Sequence, residues 1–116
     1  MAFVGTAAPD KARAFYRDTL GLRLTGEDGF ALVFDAHGTM LRVAIVQKVA
    51  AAPYTVLGWQ VGDIAATAAA LQQAGVKFER YPGLTQDELG VWNAPGGAKV
   101  AWFKDPDGNT LSIAQM

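Results

Sequence analysis

The chain has 116 residues and a mass of 12.3 kDa, enough for one globular domain with a buried core. Hydrophobic residues make up 51% of it and charged residues 18%, which excludes an intrinsically disordered protein. The net charge of -1 provides no basic surface for nucleic acid, and the absence of cysteine excludes disulfides and thiol chemistry. No apolar run is long enough for a membrane helix, and the sequence does not open with the basic and then apolar stretches of a secretory signal, so we expect a soluble, cytoplasmic protein without a membrane partner.

A weak internal repeat predicts two modules with the same order of elements. The chain from Asp10 reads D-K-A-R-A-F-Y-R-D-T-L-G-L, and from Asp63 it reads D-I-A-A-T-A-A-A-L-Q-Q-A-G-V. In each segment an aspartate is placed to cap a helix, and a glycine, Gly21 or Gly75, is placed to end it. Apolar residues at helical spacing predict the buried stripes, which are Ala12, Phe15, Tyr16 and Thr19 in the first helix and Ile64, Ala68 and Leu71 in the second.

Short apolar runs bounded by turn residues predict the strands. One run precedes each helix, at residues 2–7 and 54–61; later runs lie at 22–25, 30–34, 40–47, 76–80, 89–93, 99–103 and 110–114. The predicted fold class is α+β, with two βαβββ modules at residues 1–47 and 54–116, joined by a linker at 48–53. Neither module is large enough to be stable alone, so we expect one domain over residues 1–116 with a shared core.

Four segments stand out in order along the chain: the helix ending F-Y-R-D-T-L-G-L, V-G-D-I at residues 61–64, A-G-V-K-F at 74–78, and the turn D-P-D-G-N at 105–109. In this order and spacing they resemble the vicinal oxygen chelate superfamily, the group of glyoxalase I, extradiol dioxygenases and the fosfomycin- and bleomycin-resistance proteins. The resemblance covers nearly the whole chain. It implies a mixed sheet from two βαβββ modules that curls into a cup, and a homodimer.

The metal site of that superfamily does not carry over to this sequence. Its enzymes hold a divalent ion in the cup with side chains that are usually His and Glu, and the resemblance places those positions at Phe3, Arg42, Val56 and Ser112. Phenylalanine and valine have no donor atom, and a guanidinium repels a cation. The only histidine, His37, lies in a predicted turn. We therefore predict no metal, no cofactor and no catalytic residue.

Strand alternation identifies the side chains that would line the cup, because one parity faces the helices and the other faces the cup. Arg42 on this face either meets a ligand carboxylate or phosphate, or forms an internal ion pair with Glu79, Asp87 or Glu88. For each tryptophan, packing in the core or in a dimer interface is the alternative to a ligand contact. The candidate ligand-binding residues are mostly apolar, as in many small-ligand sites: Phe3, Arg42, Val56, Gly58, Trp92, Trp102 and Ser112.

Three functional hypotheses follow. The leading one is a metal-independent protein that binds a small, partly apolar organic molecule in the sheet cup, which requires no catalytic group. The alternative is an enzyme of the superfamily, a glyoxalase-like lyase or dioxygenase, with a non-standard or absent metal site. The third is a protein whose pocket has been lost and which serves dimerisation or protein contacts.

Overall fold

Each half of the chain forms a four-stranded mixed sheet with one helical segment, which confirms the predicted pair of βαβββ modules. The structure is a computed structural model that describes all 116 residues. It divides into two compact units. The first unit comprises Met1–Pro53 and Asp105–Asn109, and the second comprises Tyr54–Lys104 and Thr110–Met116.

The sheet of the first unit has the order β1-β4-β3-β2. Strands β1 and β4 are parallel, and the other neighbours are antiparallel. The elements are β1 (Ala2–Thr6), α1 (Pro9–Arg13), a π-helical segment (Ala14–Thr19), β2 (Arg23–Glu27), β3 (Ala31–Ala36) and β4 (Thr39–Ile45).

The first helix begins differently from the prediction. Ala8 is the N-cap and makes no side-chain capping bond, whereas Pro9 occupies the start of the helix. Proline suits that position because its φ is already helical and it has no N–H to satisfy. Asp10 therefore lies inside the first turn, where its carboxylate accepts a hydrogen bond from the Arg13 guanidinium at 2.9 Å. The predicted glycine stop is confirmed, since Gly21 has φ +73°.

The sheet of the second unit has the order β5-β8-β7-β6, again with one parallel pair, β5 and β8. Its helix begins as predicted, because the Asp63 side chain accepts a hydrogen bond from the Ala66 N–H at 3.1 Å. The elements are β5 (Thr55–Gln60), α2 (Ile64–Gln73), β6 (Trp92–Asn93), β7 (Lys99–Lys104) and β8 (Thr110–Gln115).

The prediction of strands at residues 76–80 and 89–93 is wrong except for the two residues of β6. Phe78 makes only an isolated bridge to Phe103. The Gln86 side chain replaces strand pairing in this segment: its amide donates to the carbonyls of Glu79 at 2.9 Å and Gly90 at 2.8 Å, and its oxygen accepts from the Tyr81 N–H. Backbone groups satisfied by a side chain need no neighbouring strand.

The core of each unit lies between its helix and one face of its sheet. In the first unit the Tyr16 and Phe34 rings, both fully buried, have centroids 5.6 Å apart. In the second unit, Phe103 is fully buried on the sheet and Ala68 on the helix. No helix is both long enough and apolar enough to cross a membrane.

The turn Asp105–Asn109 joins two strands of the second unit but belongs to the first. The Tyr16 hydroxyl donates to a buried Asp105 carboxylate oxygen at 2.6 Å, and the Asn109 amide donates to that oxygen and to the Gly5 carbonyl, both at 2.9 Å. The Ala7 N–H donates to the Asp107 carboxylate at 2.9 Å. These bonds anchor the turn to β1 and to the first helix.

Candidate ligand site

The sheet face opposite the helix is called here the open face of each unit. In the first unit, Phe3, Arg42 and Val33 are register partners on β1, β4 and β3, so they form one row across that face. The intervening residues Leu41 and Val43 are fully buried on the other face. The predicted alternation of β4 is therefore confirmed, and Phe3 lies beside Arg42.

Arg42 is half-buried, and its guanidinium forms neither an ion pair nor a hydrogen bond within the first unit. Within the second unit, Glu79 pairs with Lys104 at 3.5 Å, and one carboxylate oxygen of Asp87 accepts the N–H groups of Leu89 and Val91, so two of the acids considered as partners of Arg42 have partners in their own unit.

The open face of the second unit carries a row of Gly58, Ser112 and Trp102, which are register partners on β5, β8 and β7. A Cβ atom at Gly58 would overlap the Ser112 Oγ atom, so the absence of a side chain leaves this hydroxyl its space. Val56 lies where the pairing of β5 with β8 shifts register, and it has no register partner. Regular alternation therefore does not assign its half-buried side chain to either face.

Aromatic rings form a wall in the second unit. The Trp92 and Trp102 rings are 6.0 Å apart with an interplanar angle of 32°, and Tyr81 meets Trp102 edge-on at 5.4 Å. All three side chains are half-buried. The two tryptophans meet because β6 pairs with β7, whereas Tyr81 was missed because the preceding residues were assigned to a strand. Trp59 belongs to the other face, where its ring meets Phe103 at 6.1 Å.

The residues at the metal positions implied by the resemblance do not fit a metal ion. Phe3 and Val56 have no donor atom, Arg42 is a cation, and Ser112 supplies a single neutral hydroxyl. No cluster of three or more His, Asp or Glu side chains elsewhere could hold an ion. His37 lies in the predicted turn, between β3 and β4, where its backbone is left-handed with φ +53°.

Each unit also has a concavity of its own. One of about 220 Å³ in the first unit lies at the β3–β4 hairpin and includes Met40, a neighbour of Arg42 on β4. One of about 260 Å³ in the second unit lies near the end of α2, where Gln72, Lys77, Arg80 and Glu88 contribute to its lining. The second concavity was not predicted from the sequence, because its walls come from the irregular segment after α2.

Tyr16 is the most strongly perturbed titratable group of the first unit. Burial, followed by the negative charge of Asp105, raises its pKa far above the usual range of a phenol. Both side chains lie within the turn network, which uses the single hydrogen-bond donor of the Tyr16 hydroxyl. We therefore assign this pair to the framework and not to a reactive site.

Comparison with known proteins agrees with the fold. The family model of the Glyoxalase/Bleomycin resistance protein/Dioxygenase superfamily matches residues 2–113. The chain belongs to this superfamily. No curated protein sequence matches it significantly.

Solved structures of the superfamily share the fold at low sequence identity. A glyoxalase family protein from Bacillus anthracis has a TM-score of 0.79 at 16% identity, and the match covers 98% of this chain and 90% of that chain. A lactoylglutathione lyase from Agrobacterium tumefaciens gives 0.76 at 18% identity, with the same coverages. A superfamily member from Sphaerobacter thermophilus gives 0.75 at 23% identity, covering 99% of this chain and 94% of that one.

Proposed function

We propose that this superfamily member is a metal-independent binding protein, a cytoplasmic homodimer whose open sheet faces hold a small, partly apolar organic molecule. The candidate contacts are Phe3 and Arg42 in the first unit, and Val56, Gly58, Trp92, Trp102 and Ser112 in the second. The observation that carries the proposal is the chemistry at the metal positions, where apolar, cationic and hydroxyl side chains replace metal donors.

Two features of the open faces support binding of an organic molecule. The tryptophan pair offers flat apolar area against which a planar ligand can pack. Beside it, the Ser112 hydroxyl is a donor and acceptor with no hydrogen-bond partner, and Gly58 keeps the space in front of it clear. A mostly apolar surface with a few polar groups is typical of small-molecule sites.

Native mass spectrometry of protein purified without added metal or chelator tests the proposal. We expect a dimer whose chains carry an organic mass or no addition, and no divalent ion. One divalent ion per chain, together with an activity that a chelator removes and the ion restores, would overturn the proposal in favour of a metalloenzyme.

Two matched substitutions test where any ligand retained during purification binds. Ser112→Phe fills the open face between Gly58 and Trp102 and is expected to abolish retention, because the new ring occupies the proposed site. Gln72→Phe places the same ring at the other concavity of that unit and should leave retention unchanged. The opposite pattern would place the ligand near α2 and contradict the proposal.

A further inference from the structure

We infer that Arg42 on the open face of the first unit recognises the carboxylate of a small aromatic acid. This inference rests on the proposed function and names the class of molecule that it would serve.

The guanidinium of Arg42 has no partner within its unit. Arg42 lies in a central strand, half-buried, and no ion pair or hydrogen bond within the first unit compensates its charge. By contrast Arg23, on β2 of the same sheet, is an exposed cation that pairs with Asp35 at 3.7 Å. A partly desolvated cation favours an anionic partner, and the planar fork of a guanidinium matches the two oxygens of a carboxylate.

Asp28 is the carboxylate whose charge interacts with Arg42, but it does not satisfy the guanidinium. Its Oδ1 atom accepts the N–H groups of Phe30 at 2.8 Å and Ala31 at 3.0 Å. These two bonds are the main reason why the pKa of Asp28 lies below its usual value, and the charge of Arg42 contributes least. Asp28 is fully exposed to solvent and forms no ion pair. The donors of Arg42 therefore remain available.

The apolar neighbours of Arg42 indicate the remainder of the ligand. Phe3, its register partner on β1, is 61% exposed, and Met40, two residues away on the same face of β4, is 48% exposed. Large apolar side chains exposed beside an unpaired cation suit a molecule with one charged end and a flat apolar body; the other cation of this face, Arg23, is already paired with Asp35. An aromatic ring can pack against the Phe3 ring while its carboxylate meets the guanidinium.

The test compares three probes by NMR titration of the full-length protein. Benzoate has both the ring and the carboxylate, benzamide has the ring without the charge, and acetate has the charge without the ring. Each is added to the wild type, to Arg42→Gln, to Arg42→Lys, and to Arg23→Gln as the control cation of the same sheet. The Arg42 Nε–Hε resonance of the wild type reports contact directly, so the test does not depend on the variants folding.

We expect benzoate to bind at least about tenfold more tightly than either other probe and to shift the Arg42 Nε–Hε resonance. Arg42→Gln should remove that advantage, Arg42→Lys should keep part of it, and Arg23→Gln should keep all of it. If benzamide binds as tightly as benzoate, or acetate does, the inference is overturned while small-molecule binding stands. If no probe shifts any open-face resonance up to about 10 mM, both the inference and the proposed function fail for this face.

Discussion

Tyr16 shows how one residue of the repeat acquires a partner from a distant part of the chain. Its hydroxyl is buried and donates to Asp105, which is 89 residues away in sequence. The donor must stay protonated, because a phenolate would face the Asp105 carboxylate in a buried site. Burial, and after it the negative charge of Asp105, raises the pKa of Tyr16 far above that of a free phenol.

Tyr16→Phe removes this hydrogen bond without changing the ring. We expect a loss of about 2 kcal/mol in the free energy of unfolding, because hydrogen bonds to buried charged groups are stronger than average. Urea unfolding at neutral pH measures it. Tyr54→Phe is the matched control, since Tyr54 is 67% exposed, and it should change stability little. Equal losses in the two variants would contradict the assigned role.

The same pair predicts a pH dependence at the alkaline end. The folded pKa of Tyr16 is raised, so its contribution is complete below about pH 10, where the unfolded phenol is protonated, and falls as the pH rises further. Wild-type stability should therefore decrease above that pH by up to about 1.4 kcal/mol per pH unit more than that of Tyr16→Phe. If the free energies of unfolding of the two proteins changed with pH in parallel, Tyr16 would have the same pKa in the folded and unfolded states, which would contradict this prediction.

Gly90 and Gly83 provide a matched pair of left-handed glycines, with φ of +86° and +87°. A Cβ atom at Gly90 would lie 2.9 Å from the Phe78 Cβ atom, whereas nothing lies within 4 Å at Gly83. Alanine at either site costs about 1 kcal/mol for the backbone conformation, and at Gly90 it should cost at least about another 1 kcal/mol for the overlap. Chemical denaturation of Gly90→Ala and Gly83→Ala measures the difference. Equal costs would mean that Phe78 moves aside freely.

Among single residues, alternation predicted which side chains share a face but not what they touch. Arg42 and Phe3 are neighbours as the pattern requires, because strand geometry alone determines it. The lack of a partner for Arg42 within its unit could not be predicted, since it depends on where every carboxylate of that unit lies. The face on which the Val56 side chain lies also could not be predicted, because the register shift between β5 and β8 is not visible in the sequence.

At the scale of elements, the two helix starts test how far the repeat holds. Asp63 caps α2, whereas Asp10 lies within the first turn of α1, because Pro9 precedes it. Sequence similarity between the two segments therefore hides a shift of the helix start. Only the second aspartate acts as the pattern predicts.

Asp63→Ala should lower the free energy of unfolding by about 1 kcal/mol, the usual cost of losing a side-chain N-cap. Asp10→Ala is the control from the other half of the chain. It removes only an exposed ion pair with Arg13, and such pairs contribute little. Thermal unfolding followed by circular dichroism compares them. A larger loss for Asp10→Ala would mean that the carboxylate stabilises α1 in a way that the observed start does not explain.

Regular elements were predictable and the irregular segment after α2 was not. Strands β1, β3, β4, β5, β7 and β8 follow from apolar runs with turn residues between them. Between residues 76 and 91, the same composition forms no regular strand, because the Gln86 side chain satisfies the Tyr81 N–H and the carbonyls of Glu79 and Gly90. A side chain that replaces a strand partner cannot be identified from local composition.

For the whole molecule, the units do not coincide with the two halves of the sequence. The first unit extends to Pro53 and so includes residues 48–53, and the turn Asp105–Asn109 also belongs to it. The turn sequence predicted a tight connection between strands. Its second role, accepting the Tyr16 hydrogen bond, depends on tertiary structure.

A fragment that ends at Pro53 should therefore fail to fold, because it lacks the Asp105 and Asn109 side chains that complete its unit. Circular dichroism should show no cooperative unfolding of this fragment. The control is the full chain with a protease site inserted between Ala50 and Ala51 and then cleaved. We expect the two pieces to elute together in gel filtration, since the second piece still supplies the turn Asp105–Asn109. A cooperative transition of the fragment alone would show that the turn is dispensable.

The arrangement of the tryptophans also has a spectroscopic consequence. Trp92 and Trp102 are close enough, at 6.0 Å and 32°, for their indole transitions to couple, whereas Trp59 lies on the opposite face of the sheet. A molecule that packs against the pair would change both their emission and the near-ultraviolet dichroism of the couplet. Ligand binding can therefore be followed through the tryptophan fluorescence and the near-ultraviolet circular dichroism of the unmodified protein. Libraries of unlabelled compounds can be screened with these two signals.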